Sequence, residues 1–170
     1  MRRILLLLCM GIGLAALCAP SWVQFPVQIV YNPSSSVPLG WYSIRPVGPL
    51  HVGGIMLARL PAEAAALAAR RRYLPTGIPL LKRIGAVAPQ LVCVRGGVVR
   101  IDGVVVATTL VHDGQHRPLQ AWAQCRRLKQ GELFLLSDTN PASFDSRYFG
   151  PIQASVVIGS ARALWTWGAP

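Results

Sequence analysis

Apolar positions fall along this chain in two regimes. Residues 4–19, ILLLLCMGIGLAALCA, form one uncharged run behind Met1-Arg2-Arg3. Beyond residue 25 the apolar residues come instead in short bursts separated by glycine, proline and Asp-Gly pairs. Bursts of this length, rich in β-branched residues, predict strands. They are LVCV (91–94), VVRI (98–101), VVVATT (104–109), ELFLLS (132–137), ASVVIG (154–159) and ALWTW (163–167). Arg95-Gly96-Gly97 and Asp102-Gly103 separate the first three, and Asp-Gly between two such runs is a strong hairpin signal. One segment has helical character: Pro61 at the first turn, then AEAAALAARRR, with Glu63 early and Arg70, Arg71 and Arg72 late to suit the helix dipole. Tyr73-Leu74-Pro75 ends it. The pattern predicts a mainly β domain, a distorted barrel with one inserted helix, behind an N-terminal transmembrane helix.

The first run rises about 24 Å as a helix, short of a hydrocarbon core of about 30 Å. Continuing through Trp22, Val23 and Phe25 closes the gap. The chain thus divides into an anchor, 1–25, with its span at about 4–22, and an exported domain, 26–170. Arg2 and Arg3 stay cytoplasmic by the positive-inside rule, which sets a single-pass inner-membrane protein with its domain in the periplasm. A cleaved leader is the alternative. Ala16-Leu17-Cys18 ends in cysteine where an A-x-A site needs a small residue, and Leu17 is too large for a lipoprotein site, so a retained anchor is expected.

Export changes the reading of the cysteines. Cys9 and Cys18 lie in the apolar run; Cys93 and Cys125 remain, and an oxidising compartment favours a disulfide between them. Neither belongs to a C-x-x-C, and no neighbouring His or Cys suggests a metal. The formal charge is +11, with fifteen basic against six acidic residues once Arg2 and Arg3 are set aside. A basic domain tethered to a bilayer is drawn to anionic lipid. The basic residues are scattered, apart from Arg70 to Arg72 and Arg126-Arg127 with Lys129, and accompany no nucleic-acid motif, which argues against nucleic acid as a partner.

Candidate chemistry centres on NPSSSVPLGWY (32–42). Serines beside proline usually mark a turn or linker, unless a distant base makes one of them a nucleophile. His51 lies in the turn GPLHVGG, and His112 and His116 lie in VHDGQHRP, where Asp113-Gly114 argues for a turn over a metal-binding helix. No G-x-S-x-G elbow accompanies them. Lysine is the other base, and the chain has only Lys82 and Lys129. Arginine cannot give up its proton, whereas a desolvated lysine can. Lys129 sits in the polar turn RRLKQGE, but Lys82 sits in IPLLKRIGAV, on a strand face shared with Leu80 and Ile84. Taken alone, such a lysine more often snorkels to water than loses its charge. Pro79 and Arg126 exclude an S-x-x-K pair, so any Ser-Lys pair joins distant segments.

Three blocks in order carry a resemblance: NPSSSVPLGWY, LLKRI and SDTNPASFDSRYFGPI (137–152). The chain resembles the signal peptidase I family of Ser-Lys proteases, and most closely its TraF-type conjugal transfer branch. Ser36 aligns with the nucleophile, Lys82 with the general base, and Ser34 with a hydroxyl that joins the Ser36 N–H in the oxyanion hole. Ser143 aligns with a hydroxyl that orients the lysine, Asp145 and Arg147 with a structural ion pair, and Asp138 opens the same loop. Ser35 has no assigned role, and Pro38 and Gly40 are expected to form a rigid turn. An acidic residue of this branch, Asp138 or Asp145, is associated with peptide cyclisation. Housekeeping enzymes have Ser-Met-x-Pro, whereas this chain has Ser-x-Pro-x-Gly and no large extra β domain, which favours the conjugal branch. The resemblance implies an endopeptidase acting on an exported precursor, a pilin with small residues at the cleaved bond, and it calls on no cofactor. A general signal peptidase removing secretory leaders and a non-catalytic envelope scaffold are the alternatives.

Overall fold

The computed structural model describes residues 2–22, 28–137 and 139–167. Helix α1 covers Arg2–Trp22, and Ile4, Leu7 and Met10 on it are exposed. Among the described residues no helix is long and apolar enough to cross a membrane. Met1 and residues 23–25 of the expected 1–25 anchor lie outside the described ones.

From Ile29 onward the chain is antiparallel β structure. Strands β1 (Ile29–Asn32), β2 (Leu39–Arg45) and β3 (Ile55–Ala58) precede helix α2 (Ala62–Arg70). Then come β4 (Leu80–Val87), β5 (Leu91–Arg95), β6 (Val98–Ile101), β7 (Val104–Thr108), β8 (Cys125–Arg127) and β9 (Glu132–Leu135). The short helix α3 (Ser146–Phe149), β10 (Ile152–Gln153) and β11 (Val157–Trp167) complete it.

Seven strands form a curled sheet in the order β1-β2-β11-β3-β4-β9-β10. The expected barrel is only half realised, because β1 and β10 remain as edges. Closure needs a continuous ladder around the ring. Here the chain leaves the sheet between β4 and β9 to build a second one, β7-β6-β5-β8. The two sheets bury a shared core: Val92, Val94, Val99 and Ile101 from the small sheet meet Ala86, Phe134 and Leu136 from the large one. Cys93 and Cys125, directly paired across β5 and β8, are joined by a disulfide.

The two tight hairpins follow the sequence pattern. Gly96 and Gly97 link β5 to β6, Asp102 and Gly103 link β6 to β7, and all four have positive φ. That conformation matches the twist of the flanking strands. The C-terminus departs from expectation. Ala154–Val156 is a turn of 3-10 helix, and the two strands expected at 154–159 and 163–167 are one, β11. β11 lies between β2 and β3, so its polar middle is held by ladders on both sides, Ser160 opposite Arg45 and Met56, and Arg162 opposite Ser43. Tertiary pairing outweighs local polarity there.

Candidate active site

Three segments distant in sequence meet at one cluster of side chains. The first is the loop between β1 and β2, residues 33–38, which carries the serine run. The second is β4, whose Lys82 pairs with Met56 of β3. Its same-face neighbour Ile84 is in an apolar cluster with Met56 and Leu135, and Leu80 packs against that cluster. The third is the loop from Ser137 into α3.

Lys82 is 1% exposed. Its Nζ donates to Ser36 Oγ at 2.5 Å and also to Ser143 Oγ. The two hydroxyls are 3.1 Å apart, closing a buried triangle of one amine and two serines. Burial pushes the lysine down to about 8; Asp145 pulls it back up, and Arg147 adds to the lowering. An ammonium is costly where water cannot reach it, so the neutral amine is within easy reach near physiological pH. A neutral amine has a lone pair with which to accept the Ser36 proton.

Behind the triangle, Asp145 and Arg147 form a buried bidentate pair, with Nε to Oδ1 and Nη2 to Oδ2 both 2.8 Å. The guanidinium also donates to the carbonyls of Thr108, Pro141, Asn140 and Ser143. Asp145 in turn accepts from the backbone of Ser137 at 3.1 Å and caps α3 through the Arg147 N–H. The pair therefore sets the loop that delivers Ser143. Its fork geometry satisfies both charges, which a buried ion pair needs.

The loop that carries Ser36 is clamped from two sides. Within it, the Asn32 amide donates to the carbonyls of Ser34, Val37 and Pro38 at 2.7, 3.1 and 3.1 Å. Asn32 Oδ1 accepts from the Ser34 N–H at 3.2 Å and the Ser34 hydroxyl at 2.9 Å. From the other side, Ser137 Oγ donates to the Ser36 carbonyl, and Thr139 Oγ1 to the Ser35 carbonyl, both at 2.9 Å. Asn140 Nδ2 donates to Ser35 Oγ at 2.8 Å. Ser35, without a role in the sequence reading, thus ties the first block to the third. Tyr42 OH adds a 2.6 Å bond to the Pro38 carbonyl.

Gly40 differs from expectation. It is not part of a turn but a residue of β2, paired with Asn32 of β1 and Thr166 of β11. Its φ is +141°, and a Cβ there would meet the Trp165 carbonyl oxygen at 2.1 Å. Close strand approach, not turn geometry, requires the glycine.

Ser34, Ser36, Lys82 and Ser143 open onto a cleft of about 280 Å³, walled by Leu74, Leu80 and other apolar residues. A larger groove of about 920 Å³ lies beside it between α2 and residues 118–124. The two share Leu119, Phe144 and Tyr148, but the larger holds none of the serine–lysine cluster. One wall of the cleft is the 112–118 loop, wound around Asp113. Desolvation raises this carboxyl, but hydrogen bonds from Tyr73, the Arg117 and Gln115 backbones and the Arg117 side chain outweigh it and hold it well below the usual carboxylate range. Asp138 lies outside the described residues.

Sequence reasoning thus missed Asn32, Ser137, Thr139 and Asn140 as parts of the site. All four lie in the blocks that carry the resemblance, and Asn32 and Asn140 also carry a local signal, an asparagine next to a proline, which favours turn initiation.

The family described as "Signal peptidase, peptidase S26" matches residues 1–167. The chain is 34% identical over 146 residues to a probable conjugal transfer protein TraF of Sinorhizobium fredii, covering 80% of this chain and 76% of that one. It is 33% identical to a conjugal transfer protein TraF of Agrobacterium fabrum, covering 80% and 81% of the two chains. A plasmid transfer protein TraF of Escherichia coli is 28% identical, with coverages of 80% and 82%. Among solved structures, a signal peptidase I of Enterococcus faecalis matches with a TM-score of 0.42 and 20% identity, covering 67% of this chain and 97% of that one. The chain belongs to the S26 signal peptidase family, as a peptidase of its TraF type.

Proposed function

We propose that the protein is a membrane-anchored serine endopeptidase that trims an exported precursor, most specifically a pilin subunit of a conjugation apparatus, through Ser36 and Lys82. The observation that carries this reading is the 2.5 Å contact between Lys82 Nζ and Ser36 Oγ on the floor of a cleft. A scaffold would have no use for a desolvated lysine held against a serine; burying an amine costs stability, and strongly perturbed ionisable groups cluster at functional sites.

In this mechanism neutral Lys82 accepts the Ser36 proton as Oγ attacks the scissile carbonyl. The developing oxyanion is met by the Ser36 N–H and the Ser34 hydroxyl, both carried on the surrounding loop. Collapse of the intermediate breaks the C–N bond, and Lys82 returns the proton to the leaving amine. The acyl-enzyme is then released by water, or by the substrate's own amine where the product is cyclic. Ser143 holds the amine in line throughout. The N-terminal segment 1–25 would tether the domain to the inner membrane, with the cleft on the periplasmic side and the basic surface near lipid. The transfer-protein relatives support the conjugal substrate over secretory leaders.

Co-expression with a pilin precursor, followed by mass spectrometry of the product, tests the reading. Wild type yields the shortened pilin, while Ser36→Ala and Lys82→Ala leave the precursor intact. Full processing by either variant would sink the mechanism. Trimming of ordinary secretory leaders with the pilin untouched would move the protein to general signal peptidase work.

A further inference from the structure

Asn32 ends β1 and is 4% exposed, although its side chain is wholly polar. Its orientation is unambiguous: three carbonyl oxygens surround one end of the amide, so that end is the NH₂, and the oxygen faces the Ser34 N–H and hydroxyl. The loop from Ser34 to Pro38 is therefore wrapped around a single carboxamide, with the nucleophile at its centre.

The bond to the Ser34 hydroxyl has a further consequence. A serine hydroxyl carries one proton. In the substrate-free protein that proton is given to Asn32 Oδ1, although Ser34 lines the cleft beside Ser36. It cannot also point at an oxyanion. Oδ1, however, keeps the Ser34 N–H when the hydroxyl leaves, so the loop need not move for the hydroxyl to turn.

We propose that Asn32 is a positioning residue of the peptidase reaction: its amide fixes the nucleophile loop, and its oxygen holds the Ser34 hydroxyl aside until rotation about the Ser34 Cα–Cβ bond redirects the proton to the oxyanion. The inference rests on the Ser-Lys reading above and deepens it. No bond is made or broken in this step, and the proton stays on Ser34. The arrangement keeps a donor satisfied in the resting site and releases it when charge appears on the substrate. Asn32 touches neither substrate nor reacting atoms, so it acts on rate through Ser34 and Ser36.

The test uses the full chain and an internally quenched peptide with alanine on both sides of the central bond. Ser36→Ala is measured first; if it still cleaves, the Ser-Lys reading fails and this inference falls with it. With that control inactive, Ser34→Ala removes only the hydroxyl and is expected to lower kcat by roughly 100-fold with KM within about twofold. Asn32→Ala is expected to lower kcat at least tenfold, again with little change in KM. In a Ser34→Ala background the same Asn32→Ala change is expected to cost at least about threefold less, because part of its effect passes through the missing hydroxyl. Strictly independent effects of the two substitutions, or an Asn32→Ala variant with wild-type kcat, would overturn the proposal. Should Asn32→Ala melt well below wild type, Asn32→Asp provides the second variant. It keeps an acceptor for Ser34 but loses the donors to three carbonyls, and is expected to lose kcat as Asn32→Ala does; wild-type kcat from it would overturn the role of the amide.

Discussion

Two cations, Lys82 and Arg147, are each only 1% exposed and meet at the same loop, yet they are treated in opposite ways. Arg147 is given a bidentate carboxylate and four backbone carbonyls, so every face of its guanidinium is answered. Lys82 is given two serine hydroxyls. A guanidinium keeps its proton in either setting and must be matched by charge. An ammonium in hydroxyl-lined surroundings can escape the cost of burial by becoming neutral. Burial alone thus does not make a base. What separates the two is the partner offered to the charged form, and the proposed mechanism draws on the one that is left short.

The largest expected effect breaks the lysine side of this comparison. Lys82→Met and Lys82→Arg should both lose activity by roughly 10⁴-fold or more, since neither can accept a proton. Their stabilities should diverge. Methionine fills the site without a charge and is expected to be at least as stable as wild type, whereas arginine forces a cation among hydroxyls. The pH dependence follows from the lowered lysine, at about 8 against an ordinary 10.5. Below about 8 the base is protonated, so kcat/KM of wild type should rise with pH and level off above it. Between about 8 and 10.5 the unfolded chain binds more protons at this lysine than the folded one, so this group makes stability rise with pH across that window. Denaturant unfolding at pH 8 and 10 should show the rise in wild type and its loss in Lys82→Met. Equal slopes would mean that the amine is not desolvated as described.

On the arginine side the expected effect is on stability. Arg147→Met leaves the Asp145 carboxylate buried without its partner and strips donors from four carbonyls. A loss of about 3–5 kcal/mol is expected, measured by chemical denaturation. A loss under about 1 kcal/mol would mean that water reaches the pocket.

The contrast also shows what the sequence could and could not disclose. Lys82 stood out because lysine is scarce in a chain of arginines and this one sits among leucines and isoleucines. The hairpins of the second sheet were legible because Gly96-Gly97 and Asp102-Gly103 have turn chemistry that local physics requires. β2 and β3 were not, since β2 is held by β11 and β3 by β11 and β4 from far along the chain, and β1 is a four-residue edge that pairs with β2. The roles of Asn32 and Ser137 were hidden for a related reason. Apart from the bond between Asn32 and the Ser34 hydroxyl, their hydrogen bonds go to backbone carbonyls and N–H groups, and such bonds leave no pattern in the side-chain sequence. Gly40 misled because a glycine two residues after a proline reads as a turn, while the actual constraint is a carbonyl on β11.

The smallest effect expected is the most discriminating, because Ser143 touches both cations. Its hydroxyl accepts from Lys82, and its carbonyl accepts from Arg147 at 3.0 Å. Ser143→Ala removes the first contact and leaves the second. One net hydrogen bond contributes about 1 kcal/mol, so kcat/KM should fall roughly five- to tenfold while stability changes by about 1 kcal/mol or less. A hydroxyl that accepts from an ammonium favours the charged form, so its loss should also move the acid limb of the pH profile to lower pH. A rate loss with that shift identifies Ser143 as acting on the amine. A rate loss without it, accompanied by a drop in stability near that of Arg147→Met, would instead mean that the substitution disturbs the arginine-held loop and that the two regions are not separable.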